Sequence, residues 1–167
     1  MTDRDTDTTL ARLEGFLNAF EWLNSKTDHN CTFTVENVTK AADVPSALAA
    51  HFKLKPSDFQ VEPLINIEAD LRDVFARFLF LFREPAEGHE FGRYLVDPRR
   101  SFNLMRDDGR DSLLDYLIGV VRDLGTTAAW RVVASLECGA LREWCFQDDV
   151  VIELPDRLCL LHFGVSD

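Results

Sequence analysis

The feature that most constrains this chain is a change of period. From residue 8 to about 125 the apolar residues recur at steps of three and four, the period of helices packed by one stripe. After Thr127 the step falls to two. Trp130, Val132, Ala134 and Leu136 alternate with Arg131, Ser135 and Glu137, which is the period of a strand. Cys138-Gly139 reads as a turn, Leu141 to Phe146 as a second strand and Asp148-Asp149 as a second turn. Val150 to Leu154 and Arg157 to Phe163 flank Pro155-Asp156, a dipeptide suited to a tight turn. Helices first and strands last predict the α+β class. The expected arrangement is a set of N-terminal helices, about 8–125, packed on a C-terminal antiparallel β-meander of three or four strands, about 129–164. Residues 1–167 are read as one domain.

Within the helical part, Leu10, Leu13, Leu17 and Phe20 set out a first helix from about Thr8 to Ser25, capped by Asp7 or Thr8. Cys31 to Thr34 reads as a short extended piece. Thr34 then caps a short helix with Val35, Val38 and Ala42 on one face. Asp43 caps the next, with Pro45 in the first turn, where a missing N–H costs nothing. Asn66 opens the strongest helix, carrying Ile67, Leu71, Val74, Phe75, Phe78, Leu79 and Phe82. Its end, Phe78 to Phe82, is apolar all round, so it is buried in the core or covered by a partner. Pro85 to Asp111 is irregular, with a short strand at Arg93 to Val96. Asp111 caps a last helix on Leu114, Leu117, Ile118 and Val121, and Gly125 closes it.

With 46% apolar residues, among them 13 Phe and 3 Trp, a chain of 167 residues can bury a core without disulfides or a structural metal. Cys31, Cys138, Cys145 and Cys159 include no pair at the two-residue gap of a zinc or redox motif. The N-terminus is polar and acidic, unlike a secretory signal. No apolar run is long enough to cross a bilayer. Reduced thiols and a cytoplasmic location are expected, without a membrane. The net charge of -11 repels nucleic acid and attracts basic protein surface.

The stretch Thr34 to Phe52 (TVENVTKAADVPSALAAHF) resembles the helix-turn-helix of bacterial repressors of the tetracycline-repressor type. That resemblance implies a DNA-binding transcription regulator using residues 34–53, its second helix offering Ser46 and His51, with Lys53 and Lys55 beyond. Asp43 stands where the family's turn usually has glycine. Residues 1–58 hold 9 acidic and 6 basic side chains, so this segment is net negative.

Chemistry-bearing motifs are scarce. No Gly-x-Ser-x-Gly elbow and no phosphate-binding glycine loop occurs, and no two histidines stand at the i, i+4 spacing of a helical metal site. Asp107, Asp108 and Asp111 surround Gly109 but lack the spacing of a calcium loop. His89 lies beside Glu87 and Glu90, the one local pairing suited to acid–base work. No metal or cofactor is expected, and an enzyme of unrecognised type would have to assemble its site in space, with Glu87 to Arg110 the place to look. His162, within an apolar strand, reads as a hydrogen-bonded sheet residue. The leading expectation is a non-enzymatic, acidic, bacterial-type protein that binds another protein, one with basic surface. Immunity or antitoxin-like inhibition and regulation are its concrete forms. The residues expected to meet that partner are Asp107, Asp108, Asp111, Trp144, Asp148 and Asp149, with Trp22 and Trp130 as further aromatic anchors.

Overall fold

The computed structural model describes residues 3–25, 30–81, 107–133 and 146–166. Helix α1 spans Asp3–Asn24, strand β1 Asn30–Val38, helix α2 Val44–Phe52 and strand β2 Gln60–Pro63. Helix α3 spans Ile67–Phe78, helix α4 Asp107–Asp123, and strands β3, β4 and β5 cover Ala128–Val133, Phe146–Glu153 and Leu158–Ser166. A 3-10 turn, Pro56–Asp58, precedes β2. The class is α+β. Five strands form one sheet in the order β1-β5-β4-β3-β2, and every neighbouring pair is antiparallel.

Two of those strands come from the part of the sequence expected to be helical. The helix expected from Thr34 is instead the second half of β1, which pairs along its whole length with β5, from Asn30↔Ser166 to Val38↔Leu158. Over so few residues Val35, Val38 and Ala42 fit a helix as well as a strand. Cys31 and Phe33 settle the matter by burying on one face, with Thr32 and Thr34 between them, in a run whose residue types suit a pleated surface. The hairpin of two helices implied by the repressor resemblance is therefore not formed. Asp148-Asp149 is not a turn either. Both residues lie within β4, opposite Phe163 and His162 of β5, and both are buried. The strand expected over Leu141 to Phe146, apart from Phe146 itself, which opens β4, the Cys138-Gly139 turn, Pro85 and the strand at Arg93 to Val96 fall outside the described residues.

The helices form where their capping chemistry places them. Asp43 accepts from the Ser46 N–H at 2.8 Å and Asn66 from the Ala69 N–H at 3.3 Å, each satisfying a donor that the first turn leaves open. Gly125 closes α4 at a φ of 73°, where a side chain would be strained. α1 begins at Asp3, so Asp7 and Thr8 sit inside it, and α4 begins at Asp107, so Asp111 is its fifth residue rather than its cap.

Helices α1, α3 and α4 cover one face of the sheet. Leu13, Leu17, Leu71, Phe75, Phe78 and Leu117 meet Phe33, Val150, Ile152, Leu161 and Phe163 there, all fully buried or nearly so. Each such side chain contributes about 1.5–3 kcal/mol by leaving water. Phe78, Leu79 and Phe80 are buried, so this end of α3 is core. Helix α2 covers the other face with Val44, Ala47, Leu48 and Ala49 against Val38, Val151, Leu158 and Leu160. Both faces of β4 and β5 are therefore packed, which explains why their sequences read as almost unbroken apolar runs.

Candidate functional site

Helices α3 and α4 run antiparallel and leave a groove between them of about 500 Å³. Asn66, Glu68, Ala69 and Arg72 line one side, and Asp115, Ile118 and Arg122 the other. The groove is laced by ion pairs. Arg122 grips Glu68 with two hydrogen bonds, at 2.8 and 2.7 Å. This holds the Glu68 carboxyl below the usual range, chiefly through the hydrogen bond. Arg72 bonds Asp115 and also reaches Asp111 at 3.3 Å. One guanidinium thus serves two carboxylates, Arg110 lies 3.9 Å from the second of them, and the groove itself is lined by two guanidiniums and two carboxylates. Ile65, 99% exposed, precedes the Asn66 cap at its mouth, and Tyr116 of α4, its ring tilted against Phe16 of α1 at 5.2 Å, is also exposed.

Of the residues expected to meet a partner, only Asp111 has a described side chain at this surface, where it is half exposed. Asp107 and Asp108 belong to the first turn of α4, but their side chains, and all of Trp144, lie outside the described residues. Asp148 and Asp149 face inward. Asp149 Oδ1 lies 2.7 Å from His162 Nδ1 across β4 and β5, with both side chains buried. His162 is a hydrogen-bonded sheet residue, as its alternation implies. Gln147 donates to the other oxygen of Asp149 at 3.4 Å. Thr34 of β1, directly opposite His162, donates its hydroxyl to Glu36 at 3.4 Å. Trp130 is partly buried against the α2 side, whereas Trp22 on α1 is exposed.

The residues named for DNA contact lie on α2 and in the turn that follows it. The Ser46 N–H is spent on the Asp43 cap. His51 Nε2 is 2.8 Å from Glu36 Oε2 of β1. Lys53 ends α2 in the left-handed conformation, its N–H bonded to Ala49 O, and Lys55 begins the following turn. His89, Glu87 and Glu90 lie outside the described residues. Among the described residues no three His, Cys, Asp or Glu side chains come together in a way that could hold a metal, and no helix is long and apolar enough to cross a membrane. Burial raises the Cys31 and Cys159 thiols to about 11, which suits core residues rather than nucleophiles.

Sequence reasoning read Asp111 as a helix cap and missed the groove. Arg72 and Asp115 are 43 residues apart, and Arg122 and Glu68 are 54 apart, so no local spacing signals their pairing. The chain matches no protein-family model, and no curated protein and no solved structure matches it.

Proposed function

We propose that this chain is a non-enzymatic acidic protein that docks on the basic surface of another protein, as an inhibitor of the immunity type or as a regulator. The observation that supports this reading best is how the cations are used. Lys40, Arg72, Arg110, Arg122 and Arg157 each lie against carboxylates of the same chain. In a chain of net charge -11, cations committed in this way leave carboxylates as the surplus on the surface. Such a field speeds capture of a basic partner and works against a polyanion. The mouth of the α3–α4 groove adds an exposed Ile65 beside charged residues, the make-up of an interface anchor within a polar rim.

The test is affinity purification of the tagged chain from its own host, with mass spectrometry of what is retained. A stoichiometric basic protein, released by salt and held less well by Asp111→Asn with Asp115→Asn, is the expected result. Recovery of the chain alone, or of a partner indifferent to both salt and these substitutions, would count against the reading.

A further inference from the structure

The two edges of the sheet are built differently. β2 is four residues long, carries Glu62 and closes on Pro63, which has no N–H to offer, and each of these features keeps an edge from pairing with another chain. β1, at the other end of the strand order, has nine residues, no proline and a run of Thr, Phe and Val that suits a pleated surface. Among the described residues no strand pairs with β1 on the side away from β5. The Phe33 N–H donates to Glu21 Oε2 of α1 at 2.8 Å, so the backbone groups of Phe33 point away from β5. β1 and β5 pair without a break from Asn30 to Val38, so alternation turns the backbone groups of Val35 and Asn37 outward as well. Neither of those N–H groups meets a partner among the described residues. Val35 is partly buried and Asn37 exposed. The edge is thus closed by a carboxylate at Phe33 and open from Val35 to Asn37.

The charges beside the open stretch are mainly carboxylates. Glu21 lies at Phe33, and Asp7 is tied to Arg157, the residue before Leu158, which pairs with Val38. Glu14, midway between them on the same face of α1, therefore runs beside Val35 to Asn37. Arg12 falls on the opposite face of that helix by its spacing. On the strand itself Glu36 is exposed, with one oxygen 2.8 Å from His51 Nε2. Lys40, just past β1, is held by Glu153 at 2.8 Å. We propose that the outer edge of β1 takes up an extended segment of a partner, one carrying lysine or arginine, as a sixth strand of the sheet. The segment's backbone bonds the outward groups of Val35 and Asn37, and its cations lie beside Glu14 and Glu36. This site rests on the basic partner proposed above but not on the α3–α4 groove.

The probes are short acetylated peptides that alternate threonine and valine with lysine or with glutamate, and a copy of the lysine peptide methylated at every backbone nitrogen. Each is titrated into the intact chain, with fluorescence anisotropy and amide hydrogen exchange as readouts. The lysine peptide should bind saturably, lose affinity as salt rises, and slow exchange at the Val35 and Asn37 amides. Asn37→Pro removes an outward N–H from an exposed position without touching a bond to β5, and should weaken binding about tenfold or more while the circular dichroism stays that of the parent. Glu14→Gln should weaken it about two- to fivefold, as loss of an exposed ion pair does. The methylated copy repeats the test on the unaltered chain, since it keeps the charge and has no N–H to give, and it should not bind. The proposal is overturned by no binding of the lysine peptide, by equal binding of the methylated or the glutamate peptide, or by protection that spares Val35 and Asn37. Self-association of the chain that Asn37→Pro abolishes would overturn it too, because a second copy would then be the added strand. A basic partner recovered from the host and indifferent to Asn37→Pro removes this site and leaves the function proposed above. Peptide binding with no partner recovered does the reverse.

Discussion

Phe163 is the side chain on which the helical layer and the sheet meet. It is fully buried in β5, and its ring lies 5.6 Å from Phe33 of β1 and 5.8 and 5.5 Å from Phe75 and Phe78 of α3. Truncating it in Phe163→Ala removes the transfer free energy of a whole ring and leaves a void bounded by two elements that cannot easily collapse inward. Such replacements cost about 3–5 kcal/mol. Three ring partners, each worth about 0.5–1.5 kcal/mol beyond area, place this site toward the upper end. Against a native stability of about 5–15 kcal/mol that loss leaves a marginal fold. It corresponds to a fall in melting temperature of roughly 6–20 °C for a chain of this size. Urea unfolding followed by far-ultraviolet circular dichroism reads the change as a shifted midpoint at constant slope. Phe163→Leu, which keeps most of the volume, should lose much less. Ile65→Ala, at a fully exposed position, should fall within about 0.5 kcal/mol of the parent. A loss for Phe163→Ala no larger than that of Ile65→Ala would refute the argument that this ring joins the two layers.

Three further outcomes can be measured on the same footing. Asn24, fully buried at the end of α1, donates to the Phe78 carbonyl at 2.9 Å, one of the acceptors that the end of α3 leaves open. Asn24→Ala should therefore cost about 1–3 kcal/mol in urea unfolding, and a neutral result would show that another donor takes its place. Burial lifts the Asp148 carboxyl above the usual range, and the attraction of Arg131 and Arg77 recovers only part of that cost. The native state then binds this proton more tightly than the unfolded chain does. Its contribution to stability is complete below the unfolded carboxylate range and is lost as pH rises through the raised folded value. Relative to the parent, Asp148→Asn should gain stability from acid to neutral pH, and the opposite trend in urea midpoints would contradict the burial argument. Cys31 and Cys159, with thiols near 11, should resist alkylation in the native protein and react once it is unfolded, and rapid native labelling of either in peptide mass spectra would disprove their burial.

Much of this architecture is legible in local pattern. The stripes Leu10, Leu13, Leu17 and Leu71, Val74, Phe75, Phe78 are the buried faces of α1 and α3, and the caps Asp43 and Asn66 and the closing Gly125 lie where their chemistry indicates. These features are decided within a turn or two of chain, by the helical period and by orphan N–H and C=O groups that need a nearby partner. The α+β class follows from the same signals. Residues 34–38 and 148–149 went the other way for one common reason. Strand identity in both depends on β5, which lies more than a hundred residues from the first and supplies cross-strand neighbours to both. Thr34 to Val38 becomes a strand because Val35 and Val38 find Leu161 and Leu158 opposite, and Asp148 and Asp149 tolerate a buried strand because Arg77, Arg131 and His162 converge on them. The α3–α4 groove and the meeting of Arg77 and Arg131 at Asp148 have the same origin. Composition sets the sign and size of the net charge, but which charges neutralise one another is decided by distance in space, and only the tertiary structure brings residues so far apart in the chain within hydrogen-bonding reach.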